Sequence, residues 1–105
     1  MKIRNMTPHV LNVEIDDLMV VDFPSEGNAR LMETTQPGDP FPEVLLGPVV
    51  GLPEPEDGVY LVVSRPLAMV LAATTNRTDI LVVGQLLRNP EGVIIGARGF
   101  YRLVS

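Results

Sequence analysis

The chain has 105 residues, 46% of them apolar, with no cysteine, one histidine and a formal net charge of −5. A chain of this length builds one hydrophobic core and is expected to form a single domain over 1–105. Without cysteine there is neither a disulfide framework nor a thiolate metal site. With one histidine and no carboxylate spacing that would cage an ion, neither a metal nor a cofactor is expected.

From the N-terminus, Val10, Leu11, Val13 and Ile15 lead to Asp16-Asp17, and Leu18 to Val21 resume the apolar pattern, so a hairpin with an acidic turn is predicted. Phe23 to Asn28 is a turn cluster. Ala29 to Thr34 alternates as a third strand, with Arg30 at its start. Six of the ten prolines then fall between Pro37 and Pro55, together with Gly38, Gly47 and Gly51. Prolines at this density are expected to prevent regular ladders over most of 36–57, although Val44-Leu45-Leu46 and Val49-Val50 must bury somewhere. The segment reads as an ordered arm or lid that covers a site or packs on a second subunit.

Beyond it, Val59 to Val63 is apolar on both faces, as in a central strand. Ser64 is placed to cap a helix whose first turn holds Pro66 and whose body runs from Leu67 to Ala73. The helix is apolar all round and packs on the core. Its N-terminus, with Ser64 and Arg65, is a candidate anion site. Ile80 to Val83 is a further strand. Leu86-Leu87, the turn Asn89-Pro90-Glu91-Gly92 and Val93 to Ile95 form a hairpin, and Phe100 to Val104 adds a last strand. The fold class is mostly β, formally α+β with one short helix: a compact antiparallel sheet or small barrel carrying a Pro-rich arm.

The net charge conceals a division. Residues 1–57 hold eleven acids against Lys2, Arg4 and Arg30, whereas residues 58–105 hold Asp79 and Glu91 against Arg65, Arg77, Arg88, Arg98 and Arg102. Seven of the eight bases are arginine, whose planar fork matches phosphate oxygens in pairs. Five arginines over this half are too sparse for a long duplex and suit a compact anion; the alternative is five separately solvated side chains. No P-loop, dinucleotide fingerprint, HExxH or GxSxG motif is present. His9 alone would need an unidentified partner to act as a general base, which favours a structural or ligand-contacting imidazole. No apolar run approaches the roughly 18 residues of a membrane span and the N-terminus lacks a signal segment, so a cytoplasmic protein without a membrane partner is expected. The apolar content in so small a domain predicts a homo-oligomer.

Asn5-Met6-Thr7-Pro8-His9 resembles the Asn-Leu-Thr-Pro-His opening of a group of small bacteriophage and bacterial proteins, with Met6 in place of Leu. Pro24-Ser25-Glu26-Gly27 with Ala29-Arg30, then Gly51 to Pro55, Tyr60 to Ser64 and Gly96-Ala97-Arg98 continue the likeness in order. Thr74-Thr75-Asn76 departs from the group's pattern after the helix. Small phage proteins of this size include oligomeric sponges that sequester nucleotide signals of bacterial immunity, such as cyclic ADP-ribose derivatives and cyclic oligonucleotides.

The resemblance thus implies a phage-encoded binder of a phosphorylated nucleotide-derived signal, an anti-defence sponge acting in the host cytoplasm without catalysis. In that role Asn5, Thr7, Ser25 and Ser64 would donate to phosphate or ribose, and His9 would stack or donate. Arg65 would flank the helix start, and Arg30 and Arg98 would clamp a pyrophosphate. The alternative at Thr7-Pro8 and Pro24-Ser25 is that they only shape turns. Two rival functions are a small phosphodiesterase using His9 on a cyclic nucleotide, and an interaction protein that blocks a host protein through the Pro-rich arm.

Overall fold

The computed structural model describes residues 1–16 and 19–104. In chain order they form β1 (Lys2–Asn5), β2 (Leu11–Asp16), β3 (Met19–Phe23), β4 (Arg30–Gln36), β5 (Glu43–Val50), β6 (Val59–Val62), α1 (Arg65–Thr74), β7 (Ile80–Arg88) and β8 (Ile94–Arg102). The expected mostly-β class with one short helix is what forms. Six strands make one sheet in the order β1-β6-β7-β8-β2-β3, and β4 pairs only with β5. A bridge between Asn5 and Ser25 brings the two outer strands of the large sheet together, so the sheet is nearly closed. Its pairing is mixed rather than antiparallel: β1, β6 and β7 run parallel, as do β8 and β2, while β7–β8 and β2–β3 are antiparallel. Of the predicted acidic turn, Asp17 lies outside the described residues.

Strand β6 is central, with parallel neighbours on both sides. Successive side chains of a strand point to opposite faces. Leu61 and Val63 accordingly join one buried cluster with Met6, Ala29, Ile80, Val82 and the helix residues Leu67, Ala68 and Leu71, while Val62 between them is buried on the other face. Val13 and Ala97 are buried apart from that cluster and pair across β2 and β8. Phe23 and Phe100 meet edge to face at 5.4 Å, a geometry that contributes about 1 kcal/mol beyond its area.

The helix starts where expected. Ser64 is extended, and its hydroxyl accepts from the Leu67 amide at 3.4 Å; Thr75, again extended, ends the helix by returning its amide to the Leu71 carbonyl at 2.8 Å. Burial of Leu67 and Leu71 on the sheet holds it, at about 1.5–3 kcal/mol for each side chain. No helix among the described residues is long and apolar enough to cross a membrane.

The predicted hairpin and the separate strands predicted before and after it are in fact one long hairpin. Ile80–Val83 and Leu86-Leu87 are continuous in β7, and Val93–Ile95 and Phe100–Val104 fall largely within β8. The turn between them is the predicted one: Asn89 Oδ1 accepts from the amides of Glu91 and Val93, both at 3.0 Å. Continuity depends on Gly84, which lies between the Val83–Phe100 and Gln85–Arg98 pairs, because a Cβ there would collide with the Arg98 carbonyl.

The Pro-rich segment differs most from the expectation. Instead of lacking a ladder, residues 43–50 form β5, paired with β4 from Gln36–Glu43 at the tip to Arg30–Val50 at the base, so the arm begins at Arg30 rather than at 36. The register shifts between Leu31 and Glu33, beside Pro48, and this irregularity lets a proline sit in a two-stranded ribbon. Nor do Val44, Leu45 and Leu46 bury: every residue from 32 to 48 is exposed, and only Leu31, Val49 and Leu52 pack on the core. The arm gives the protein extents of 54 × 40 × 25 Å and a radius of gyration of 15.9 Å, against about 13 Å for a compact chain of this length.

Candidate functional site

Strands β1 and β6 end side by side, with Asn5 opposite Val62, and the loop that leaves β1 is built around the Asn5 side chain. Asn5 is completely buried. Its Nδ2 donates to the carbonyls of His9 at 2.6 Å and Phe23 at 2.9 Å, and its Oδ1 accepts from the Thr7 amide at 2.9 Å and the Thr7 hydroxyl at 2.6 Å. Both donors of the carboxamide and both lone pairs are therefore committed. Ser25 Oγ donates to the Thr7 carbonyl at 2.6 Å, and the amides of Glu26 and Ala29 close on the carbonyls of Asn5 and Met6, each at 2.8 Å.

The structure thus brings Asn5, Thr7, His9 and Ser25 together. A phosphate accepts hydrogen bonds and requires donors, yet each of the hydroxyls of Thr7 and Ser25 carries one proton, already placed on an internal oxygen. In this arrangement Asn5, Thr7 and Ser25 shape the loop, and the groups it leaves outward are few. The imidazole of His9 is exposed and has no carboxylate beside it among the described residues.

At the end of β6, Ser64 accepts from Leu67 and so keeps its own proton for a ligand. The helix start offers little more from its backbone, since Pro66 has no N–H and Ala68 N is bonded to the Ser64 carbonyl at 2.9 Å. The guanidinium of Arg65 is exposed and has no partner among the described residues. Arg30, one residue beyond the Ala29–Met6 bond, is exposed and among the described residues donates only to the Asn28 carbonyl at 3.1 Å. Arg4 is held by Glu26 at 3.3 Å.

Arg98 stands elsewhere. In the nearly closed ring of six strands, β8 is three strands from β1 in either direction, and Arg98 points to Glu14 of β2 at 3.4 Å. The proposed pairing of Arg30 with Arg98 on one ligand is therefore not made within this chain's fold.

A cleft of about 500 Å³ opens at the other end of the parallel strands, lined by Glu56, Asp57, Tyr60, Asn76, Arg77 and Asp79 among others. It is acidic. Its one arginine is engaged in a two-pronged pair with Asp79, at 3.0 and 2.7 Å, and also donates to the Pro53 carbonyl at 3.0 Å. The hydrogen bonds and charge of Arg77 hold the Asp79 carboxyl below its ordinary pKa, against an opposing effect of burial. None of the residues expected to bind the ligand lines this cleft. The Arg77–Asp79 pair, two residues apart in a loop, was not among those expectations. Its only sign in the sequence is the closeness of opposite charges.

A second hollow, of about 200 Å³, is apolar and lies over β2, β7 and β8, where Val10, Leu11, Val83, Leu86, Ile94 and Ala97 line it. No group of three or more possible metal ligands occurs among the described residues. Comparisons with family models, characterised proteins and solved structures find no match for this chain.

Proposed function

We propose that this protein is a homo-oligomeric binder, without catalysis, of a phosphorylated nucleotide-derived signal, acting as a phage-encoded sponge in the host cytoplasm. The observation that supports it is the rim at the C-terminal ends of parallel β1 and β6, where Arg65 has an unpaired guanidinium beside the free proton of Ser64. The C-terminal ends of parallel strands are where ligands of α/β sheets commonly sit. The neighbouring loop built on Asn5 is closed by its own hydrogen bonds, so that ordering it costs a ligand little. Arg30 and His9 extend the set of donors; Arg98 would join only across a subunit boundary.

The test is incubation with a panel of cyclic oligonucleotides, cyclic ADP-ribose derivatives and linear nucleotides, followed by native mass spectrometry and then denaturation. A sponge retains one ligand through desalting and releases it chemically intact. Released product would show the phosphodiesterase using His9, and retention of nothing from the panel would exclude both small-molecule readings. A second reading is supported by the exposure of 32–48: an interaction protein that engages a host protein through the arm. It predicts no nucleotide retention and loss of activity in infected cells when the arm is shortened.

A further inference from the structure

The arm carries Met32, Phe41, Val44, Leu45 and Leu46 as exposed side chains, none of them among those packed on the buried cluster, and Phe41 at its tip is 76% exposed. Apolar surface of this extent on a projecting ribbon marks a docking element. The hollow over β2, β7 and β8 is the matching receptor. Its volume of about 200 Å³ and apolar lining accept one phenyl ring, since a dry apolar cavity of about 150 Å³ is enough for benzene. Val10, Leu86 and Ile94 around it are themselves exposed, with Val93 and Ile95 alongside.

Phe41 does not line this hollow on its own chain, where it stays 76% exposed. The arm is rooted beside β1, where Ala29 bonds to Met6 and Leu31 and Val49 pack on the helix side of the core, whereas the hollow lies on the opposed wall of the ring. The two surfaces are also complementary in charge. Between Leu31 and Ser64 there are six acids and no base, with Glu33, Asp39 and Glu43 on the arm itself, while the β7–β8 hairpin has Arg88, Arg98 and Arg102 against Glu91, with Arg98 paired to Glu14 of β2. Opposite charge around an apolar anchor steers the encounter and fixes its register.

We infer that Phe41 of one copy seats in the hollow formed by β2, β7 and β8 of a second copy, with the acidic arm lying along the basic β7–β8 hairpin. Reciprocal exchange closes a two-fold dimer, and one-way exchange closes a ring where the rotation between copies closes. The inference rests on the assembly part of the proposed function and is independent of the ligand.

Sedimentation equilibrium of the full chain and a cross-linking experiment test it. Wild-type protein is expected to be oligomeric. Phe41→Asp should raise the dissociation constant on the order of 30-fold or more, as expected for loss of a buried aromatic anchor. Leu86→Arg on the receptor side should do the same. Because Phe41 is exposed in the free chain, Phe41→Asp leaves the body folded, which circular dichroism checks.

The absence of cysteine allows a clean second measurement. A Phe41→Cys chain mixed with a Leu86→Cys chain should cross-link through a short bis-maleimide far faster than either variant alone. Three results would overturn the inference. A Phe41→Asp chain with wild-type mass and affinity would place the interface elsewhere while leaving oligomerisation intact. Cross-linking of Phe41→Cys only to itself would show arm-to-arm packing. A monomeric wild type would remove both this inference and the assembly it rests on.

Discussion

Asn5 of β1 donates to the main-chain carbonyl of Phe23 at the end of β3 across 2.9 Å, so a single buried carboxamide joins the two outer strands of the nearly closed sheet. Asn5→Leu keeps the volume and leaves the Phe23 carbonyl and the Thr7 amide without the carboxamide, while the His9 carbonyl keeps only the Thr7 hydroxyl at 3.2 Å. The cost of several buried unsatisfied groups is expected to be about 3–5 kcal/mol. Urea denaturation should show it as a lower midpoint. A loss below about 1 kcal/mol would mean that water replaces the carboxamide and that the closure does not depend on it.

The pair of Arg77 and Asp79 makes stability depend on acid. The Asp79 carboxyl lies below its ordinary pKa chiefly because Arg77 hydrogen-bonds to it, so the unfolded chain takes up its proton first as pH falls. The stabilisation is therefore complete above about pH 4, the unfolded value, and is lost as the pH drops through the lowered folded value. Asp79→Asn should remove about 1–2 kcal/mol at pH 7 and flatten the fall in stability below pH 4. Melting curves from pH 2 to 7 are the check; coincident curves for variant and wild type would show that the pair contributes nothing.

Ligand affinity should be uneven among the arginines. Arg65→Ala is expected to weaken binding by about 1.5–3 kcal/mol, the range for hydrogen bonds to a charged group, with a smaller loss at Arg30→Ala. Arg65→Lys should restore little, because charge returns without the fork. Arg88, which donates to the Gly92 carbonyl in its own turn, should be indifferent. Calorimetry with whichever nucleotide the native spectra identify decides the matter. Equal losses at Arg65, Arg30 and Arg88 would indicate a diffuse field in place of a site.

Gly84→Ala should be among the most damaging of small substitutions, since the added methyl meets the main chain of β8 at Arg98, which cannot rotate aside. The expected loss is about 1–3 kcal/mol or more. Gly92→Ala, where nothing lies within 4 Å, has only its left-handed backbone (φ 83°) to contend with and should cost about 1 kcal/mol. Thermal unfolding of both variants compares the two causes directly.

What was legible in the sequence was local. The run Val59 to Val63, the cap at Ser64 and the turn at Asn89 each express a physical preference within a few residues, and each is in place. β1 was not legible, because Lys2-Ile3-Arg4-Asn5 is short and charged and becomes a strand only by pairing parallel with β6, more than fifty residues later. β5 was hidden by Pro48, whose lost donor matters less in a ribbon of two strands than in a wide sheet. The site was partly legible: the motif at Asn5 marks a functional-looking loop. Its main partners are main-chain carbonyls, one of them eighteen residues away, and no residue type announces them. Sequence alone could not separate a side chain offering its protons outward from one that had already placed them.

The ribbon of β4 and β5 has one further property. Each strand is paired on one edge only, and a flat apolar ribbon with two open edges is the usual seed of filaments, because every ribbon added presents a fresh edge. Here the register slips between Leu31 and Glu33, Pro48 removes an amide from β5, and Glu33 and Glu43 place like charges along any stack of identical ribbons. Stacking would lose hydrogen bonds and accumulate repulsion with every layer. The arm is therefore suited to associations that stop at a fixed number of chains.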